Sequence, residues 1–581
     1  MQNLNKIKYR GWFPIVALVL AWACSDSFLD QKPLGVLDQG ALSNKFGANA
    51  SLISAYSMLD GYNIDNANVW AANPVNWVFG SISTDDAYKG SEATDDPGGF
   101  AQTEIYQWTP SMINLNDKYV ATFEGINRAN ATIKLAAAAT DLTDAERAQI
   151  LAEAKFLRAW FHFELYKVFT HIAYYRETDT DLKKPNAGVD VLAECIADVS
   201  EIVNVLPAVQ AQKGRVRKSA AQAFLGKLYM YQAQPASGTV LDASKLTLAK
   251  AQFELVLPAH SLVSCYHDMY ASATENNTES IFAVQSNGYD NNQGRNANWL
   301  NQLAHPQGGI TSCCGFHQPS QNLVNAYRVD AAGLPLNDNT FNDNPTSAQP
   351  VDPRLDFNVG RDGVPYYDWG THAASWIRSR AYAGQYSPKK YMPFKTDPAV
   401  GGGWNANAIN TINIQLIRLS DVMLMLAECE VEIGSLSKAE QLVNQIRTRA
   451  ANCVQGPAGA TGAASIITNL SDPTITWATY KVAPYPPGTF STKDIAREKV
   501  RLERRLELAL EGHRFFDLKR YGLDYAASVI NGYIAVEKTR RSYLVDAAPF
   551  AARHMSFPLP TTQVQLSIVN GTPTLTQNEG Y

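Results

Sequence analysis

The sequence predicts a mainly α-helical protein in which helical hairpins stack into a TPR-like scaffold, with a loop-rich second lobe containing short strands and helices. Three observations lead to this fold class. Pairs of amphipathic segments, with apolar residues at spacings of three and four, are separated by short turns. The stretch 261–405 lacks this periodicity and is dense in Asn, Gly, Pro and Asp. The 581 residues are 46% apolar and 18% charged, which is sufficient for a large folded core.

The N-terminus has the pattern of a secretory leader. A basic region and an apolar run occupy residues 6–20, and the run is too short to span a bilayer. Small residues then lead to Cys24, which predicts a bacterial lipoprotein with residues 1–23 as signal peptide and Cys24 as the lipidation site. Because the residues before Cys24 depart from the usual lipobox, an ordinary signal peptide cleaved near Ala23 stays open. Residues 24–40 are predicted to be a tether.

Three helical hairpins are predicted along the chain. Their segments are 117–139 with 143–169, about 190–206 with 216–233, and 420–434 with 436–452. Thr143 followed three residues later by Glu146 fits a capping box at the start of a helix. In that helix Phe156, Trp160 and Phe163 share one face, which predicts packing in the core.

The alternation of periodic and irregular stretches predicts the domain organisation. The expected units are an N-terminal helical scaffold at 41–260, a loop-rich ligand-binding lobe at 261–405, a C-terminal helical part at 406–530 with a loop insertion at 456–492, and short strands and turns at 531–581. Long irregular loops in a compact protein usually carry function, so the site is expected in the second lobe.

The most charged segment spans 497–520 and contains Glu503, Glu507 and Glu511 at spacings of four. Helical spacing predicts ion pairs with arginines of the same segment, and Gly512 is expected to cap the helix. Paired carboxylates also serve acid–base catalysis. No nucleophile elbow, metal-ligand spacing or phosphate-binding glycine loop accompanies them in the sequence. The acids are therefore predicted to be structural, with no enzyme activity, no cofactor and no bound metal.

The other six cysteines have neither zinc nor redox spacing, and they are too sparse for a disulfide-stapled scaffold. Cys429 lies in an apolar helical run and is predicted to be buried. The adjacent pair Cys313 and Cys314 receives no functional assignment.

Several blocks resemble the SusD/RagB family, and they occur in the family's order. These are AEAKFLRAWFHFELYKVF at 152–169, GRVRKSAAQAFLGKLYMYQ at 214–232, IRLSDVMLMLAECEVEIG at 417–434, REKVRLERRLELALEGHRFFDLKRYG at 497–522, and the endings FPLPTTQVQLS and LTQNEGY. Ser420 stands where the family usually has Ala, and Glu579 where it has Pro. The blocks span nearly the whole mature chain, so the resemblance covers the fold.

The resemblance implies a lipid-anchored outer-membrane protein that faces the cell exterior and binds a nutrient without catalysis. It also implies partnership with a SusC-like TonB-dependent outer-membrane β-barrel. The ligand it favours is a glycan or oligosaccharide. A peptide, as in RagB-like members, stays open, and a surface-anchored polysaccharide hydrolase is a further alternative that would need two opposed carboxylates in a cleft. A formal net charge of −5 gives no basic footprint for nucleic acid.

A glycan site requires exposed aromatic rings beside short polar side chains, because sugar rings stack on aromatic faces while their hydroxyls need hydrogen-bond partners. The irregular stretches 84–96, 288–302, 363–378 and 401–410 have this mixture. The predicted ligand-binding residues are Tyr88, Arg295, Asn296, Trp299, Tyr367, Trp369, Trp376 and Trp404. The alternative for each aromatic residue is that it anchors its loop to the scaffold. Trp77, Trp108 and Trp160 lie in or beside helical blocks and are assigned to packing.

Overall fold

The computed structural model describes residues 39–61, 69–92, 99–234, 241–286, 303–310, 314–397, 400, 410–458, 463–467 and 472–581. Helix predominates in these residues. The helices of twelve or more residues in this part of the chain are α1 Lys45–Ser57, α2 Ile113–Ala138, α3 Asp144–Phe169, α4 Val191–Ile202, α5 Lys218–Gln232, α6 Ala243–Val256, α7 Leu419–Ile433, α8 Leu436–Ala450, α9 Lys493–Glu507 and α10 Leu523–Glu537. The shorter helices are Gln39–Leu42, Trp77–Gly80, Phe100–Glu104, Gln321–Ala326, Arg354–Asn358, Arg380–Ala383, Arg514–Arg520 and Thr561–Leu566.

The long helices stack in chain order. Helix α1 packs on α2, α2 on α3, and each following helix on its predecessor as far as α8, while α9 packs on α7 and α8. This arrangement confirms the predicted mainly helical fold of stacked hairpins. None of these described helices combines the length and apolarity needed to cross a bilayer.

Helix α3 shows why the sequence pattern predicted the scaffold well. The Thr143 side chain accepts a hydrogen bond from the backbone N–H of Glu146, and the Glu146 carboxylate accepts one from the backbone N–H of Thr143, so the predicted capping box is confirmed. The predicted aromatic face is also confirmed, because Phe156 and Trp160 both pack against the rings of Phe224 on α5 and Phe282.

Strands are short and form two-stranded sheets in the described residues. They are β1 Ala87–Gly90, β2 Ser280–Val284, β3 Phe316–Pro319, β4 Pro350–Val351, β5 Val359–Gly360, β6 Ser387–Pro388, β7 Ile414–Arg418, β8 Cys453–Val454, β9 Ala464–Ser465, β10 Thr479–Tyr480, β11 Ile568–Val569 and β12 Thr572–Pro573. The pairs β1–β3, β2–β7, β5–β6 and β11–β12 are antiparallel, and β4–β10 and β8–β9 are parallel.

Two boundaries differ from the predictions. Helix α9 ends at Glu507, so the expected cap at Gly512 is wrong. Gly512 is instead required by a close approach: its φ is +71°, and a Cβ there would lie 1.5 Å from the carbonyl oxygen of Val75. Helix α10 continues to residue 537, although short strands and turns were expected from residue 531.

One disulfide joins distant parts of the described chain. Cys265 and Cys453, 188 residues apart, are bonded, and Cys314 is also disulfide-bonded. The sequence predicted neither. Cys195 and Cys429 are free and buried, which confirms the prediction for Cys429.

Candidate ligand-binding site

A tight hairpin turn within 363–372 carries Trp369 at its tip. The backbone N–H of Tyr366 donates to the carbonyl of Gly370 at 2.9 Å, and that of His372 donates to Val364 at 3.0 Å. Tyr367 adopts a left-handed backbone with φ of +52°. Trp369 is half-buried and lies between two exposed residues, so the tip of the turn is at the surface.

Hydrogen bonds join the tip of the turn to the segment 393–396. The indole Nε1–H of Trp369 donates to the carbonyl of Pro393 at 2.9 Å. The Asp368 carboxylate accepts from the backbone N–H groups of Lys395 and Thr396, the latter at 3.0 Å. With its N–H engaged, Trp369 can offer a partner only its apolar ring surface.

Beneath the tip lies a separate apolar cluster. Its buried members are Tyr366, Tyr367, Trp376 and Met392. The ring of Phe394 lies 4.8 Å from that of Tyr367. Tyr367 is 4% exposed and Trp376 is 8% exposed, so these two predicted ligand residues form the floor that supports Trp369. A Cβ at Gly309 would lie 2.0 Å from the indole of Trp376, so only glycine permits this packing.

Described residues within or next to two other predicted stretches contact the segment 363–380, which contains this turn. Arg378 donates to the hydroxyl of Ser91 at 3.0 Å and pairs with Glu92 at 2.6 Å, and both partners lie within the stretch 84–96. Backbone N–H groups of Gln307 and Gly308, which follow the stretch 288–302, donate to the carbonyl of Trp376. These contacts bring Ser91, Glu92, Gln307 and Gly308 to one segment, 363–380.

The described residues at the two ends of the stretch 401–410 lie near the segment that is hydrogen-bonded to the turn. Val400 and Asn410 form an antiparallel bridge. The side-chain amide of Asn410 donates to the carbonyl of Tyr391 at 3.3 Å, two residues before Pro393.

The prediction that Tyr88 contacts the ligand needs correction, because Tyr88 is fully buried. Its hydroxyl donates to Glu537 at 2.5 Å and accepts from the backbone N–H of Gln321 at 3.0 Å. A ring with no exposed face cannot stack on a sugar, so Tyr88 is excluded from the candidate site. Of the other predicted residues, Cys24, Arg295, Asn296, Trp299 and Trp404 lie outside the described residues. The tryptophans assigned to packing, Trp77, Trp108 and Trp160, are all buried, as predicted.

The repeated glutamates of the charged segment belong to a buried ion network. Glu503 contacts Arg354 at 2.7 Å and Arg447 at 3.1 Å, and Glu507 contacts Arg354 at 2.9 Å and Arg418 at 2.6 Å. These arginines come from outside α9, so the predicted pairing within one helix is wrong for these acids. The predicted structural role of the acids is consistent with this geometry.

The charge state of Glu511 follows from the same network. Burial alone would raise its pKa, but Arg418 at 2.8 Å and Lys390 at 2.7 Å lower that pKa to about 2. A carboxylate that stays ionised at neutral pH has no proton to donate as a general acid. Within the described residues, no group of three His, Cys, Asp or Glu side chains is arranged to hold a metal ion.

Comparison with protein families agrees with this architecture. A model described as the SusD family matches residues 278–581, and one described as starch-binding associating with the outer membrane matches residues 53–230. This chain belongs to the SusD family. Members of this family are binding proteins without catalysis of their own.

Relatives in sequence are distant. A SusD-like protein from Bacteroides ovatus is 26% identical over 277 residues, which cover 46% of this chain and 48% of that protein. SusD-like protein P38 from Formosa agariphila is 23% identical, over 64% of this chain and 66% of the relative. The matches thus span about half and about two thirds of these relatives. SusD-like protein P25 from Formosa agariphila is 20% identical, over 96% of this chain and 97% of its own.

Solved structures of the same fold include glycan binders. A laminarin binding SusD-like protein has a TM-score of 0.62 and 21% identity, covering 93% of this chain and 100% of that one. Surface glycan-binding protein A from Bacteroides fluxus has a TM-score of 0.66 and 20% identity, with the same coverage. Surface glycan-binding protein A from Bacteroides thetaiotaomicron, in complex with laminarihexaose, has a TM-score of 0.63 and 19% identity, covering 92% and 99%. At these identities the likeness establishes the fold.

Proposed function

We propose that this protein captures a glycan or oligosaccharide at the cell exterior and delivers it to a SusC-like TonB-dependent β-barrel. The observation that carries the proposal is the preset hairpin turn that holds Trp369 at the surface. Exposed Thr371 and Ser375 follow the tip, and Asp368 precedes it. An apolar ring face beside short polar side chains matches the two faces of a sugar ring.

The Trp369 ring is already fixed in the free protein. Trp369 is fixed through its N–H, and it packs against the buried cluster that contains Tyr367 and Trp376. A fixed ring loses little conformational freedom on binding, so more of the stacking energy contributes to affinity. Described residues within or next to the stretches 84–96, 288–302 and 401–410 contact Arg378, Trp376 and Tyr391, which favours a ligand long enough to reach beyond Trp369.

Laminarin and its oligosaccharides are the first ligands to test, because proteins of this fold bind them. The soluble protein from Ser25 onward would be titrated by calorimetry with laminarin, laminarihexaose, a panel of other polysaccharides and short peptides, followed by analysis of the products. Saturable sugar binding without new products is the expected result. Binding of peptides and not of sugars would instead favour a RagB-like ligand, and cleavage products would contradict the binding-only function.

We propose also that Cys24 carries a lipid that holds the protein on the outer membrane. The Cys265–Cys453 disulfide supports passage through an oxidising compartment, where such bonds persist. Cys24→Ala should release the protein into the soluble fraction, whereas Cys429→Ala should leave it in the membrane fraction. Retention of Cys24→Ala in cells without the β-barrel partner would contradict lipid anchoring. Affinity purification from detergent-solubilised membranes should recover that β-barrel.

A further inference from the structure

Two buried side chains donate hydrogen bonds to one backbone carbonyl of the Trp369 turn. Lys389 is 1% exposed, and its ammonium donates to the carbonyl of Pro365 at 3.1 Å and to the side-chain oxygen of Gln455. The Gln455 amide N–H donates to the same carbonyl at 2.7 Å. Pro365 lies at the base of the hairpin, where it forms a bridge with Thr371. The two side chains and the carbonyl are therefore joined by three hydrogen bonds, and we call this group the polar clamp.

The same ammonium also contacts the aromatic floor of the site. It lies 4.3 Å from the ring centroid of Tyr367 and 5.3 Å from that of Tyr366. The Tyr366 hydroxyl in turn donates to the carbonyl of Pro388, the residue before Lys389. A cation held over two rings in a buried setting is attracted by both of them. Lys389 thereby connects the hairpin base to the cluster beneath Trp369.

Gln455 is itself fixed by distant parts of the chain. It follows β8, whose Cys453 is bonded to Cys265. Two residues beyond Cys265, the ring of His267 lies 5.3 Å from Tyr367 and 5.6 Å from Phe394. The disulfide therefore links the segment that carries Gln455 to the segment whose His267 contacts the apolar cluster.

We infer that Lys389 and Gln455 are positioning residues of the ligand site, acting through the Pro365 carbonyl to hold the turn in the conformation that presents Trp369. This inference rests on the proposed function for its consequence in binding, but the positioning itself is a property of the free protein. Neither residue was singled out by its sequence context.

The charge of Lys389 should make the clamp sensitive to pH near neutrality. Burial lowers the pKa of Lys389 to about 7, with Asp356 opposing the shift and Arg361 adding to it. The pKa values of neighbouring His267 and His372 are lowered by burial, that of His267 to about 4. The rings that face the ammonium, Tyr366 and Tyr367, have raised pKa values. Of these groups, Lys389 is therefore the one whose charge changes between pH 6 and 8.5.

Hydrogen exchange of the free protein tests the positioning step without a ligand. In Lys389→Met and in Gln455→Leu, the backbone amides of peptide 363–376 should exchange at least tenfold faster than in the wild type. The matched control is Lys519→Met, which removes a remote ammonium that donates to the carbonyl of Lys167 and whose pKa burial lowers to about 7. The control should leave the peptide unchanged. Wild-type protection in both clamp variants, with far-ultraviolet circular dichroism confirming that they fold, would overturn the inference.

Binding of laminarin, or of another glycan that the wild type binds, tests the consequence. Wild-type affinity should fall roughly tenfold between pH 6 and pH 8.5 as the ammonium is lost, whereas Lys389→Met should bind more weakly at pH 6 and show a flat profile. Equal affinities and equal pH profiles in wild type and variant would contradict the positioning role. If the wild type binds no glycan, the proposed function fails, and the exchange experiment still decides whether the clamp holds the turn.

Discussion

At the residue scale, Trp369 combines the properties of a stacking platform. Its N–H is committed to Pro393, its neighbours are exposed, and buried rings lie beneath it. Tyr367 and Trp376 have the same residue chemistry and lie on the same segment. They differ from Trp369 in exposure, and exposure decides which ring can meet a ligand.

Trp369→Ala should therefore weaken glycan binding by about tenfold or more, because a stacked ring contributes on the order of 1 kcal/mol beyond the area that it buries. Calorimetric titration of the wild type and the variant measures this loss. The matched control is Phe46→Ala, since Phe46 is an 80% exposed aromatic residue on α1 of the scaffold. Unchanged affinity in Trp369→Ala, or an equal loss in both variants, would count against this turn as the site.

Residue type and spacing predicted the candidate segment but could not rank its aromatic residues. Trp160 was assigned to packing because helical periodicity fixes which face of a helix is buried. Loops have no such periodicity. Tyr88 is buried by contacts with Glu537, 449 residues away in the chain, and no local pattern carries that information.

At the scale of elements, local signals predicted helix starts better than helix ends. The start of α3 is fixed by Thr143 and Glu146, three residues apart. The end of α9 depends on contacts from elsewhere: beyond Glu507 the chain turns through Leu510, with φ of +62°, and brings Glu511 to Arg418. A helical continuation to Gly512 was the reasonable local expectation, and long-range ion pairing overrides it.

The disulfide is the covalent link between two elements that local sequence leaves independent. Removing the bond with the double variant Cys265→Ser and Cys453→Ser should lower the free energy of unfolding by about 2–4 kcal/mol, because the bond restricts a long loop of the unfolded chain. Urea denaturation measures the loss. A reductant should destabilise the wild type by more than it destabilises the double variant, in which the bond of Cys314 is the remaining target. Equal sensitivity of both proteins to the reductant would refute a stabilising role for this bond.

At the scale of the whole molecule, a balanced network of buried charges joins the second lobe to the helical scaffold. Its cations are Arg354, Arg418, Arg447, Arg449 and Lys390, and its anions are Asp352, Glu279, Glu503, Glu507 and Glu511. These residues come from the short helix Arg354–Asn358, from β7, α8 and α9, and from loops. Apart from Asp352, which pairs with Arg354 two residues away, each charge has a partner that is distant in sequence, so the network specifies how the parts of the fold fit together.

This network should make stability depend on acid in a defined direction. The pKa of Glu511, about 2 in the folded protein, lies below its ordinary value of 4.5. A lowered carboxyl pKa stabilises the fold above pH 4.5, and that stabilisation is lost as the pH falls from 4.5 towards 2. A shift of this size corresponds to on the order of 3 kcal/mol.

Glu511→Gln removes that titration and leaves Arg418 and Lys390 short of a buried partner. Its free energy of unfolding at pH 7 should fall by about 3–5 kcal/mol, but the further loss between pH 5 and pH 3 should be smaller than in the wild type. Urea denaturation followed by tryptophan fluorescence at these pH values measures both effects. Glu254→Gln, on the exposed face of α6, is the matched control and should follow the wild type. If Glu511→Gln lost stability to acid as steeply as the wild type does, the charge of Glu511 would not be what couples this network to pH.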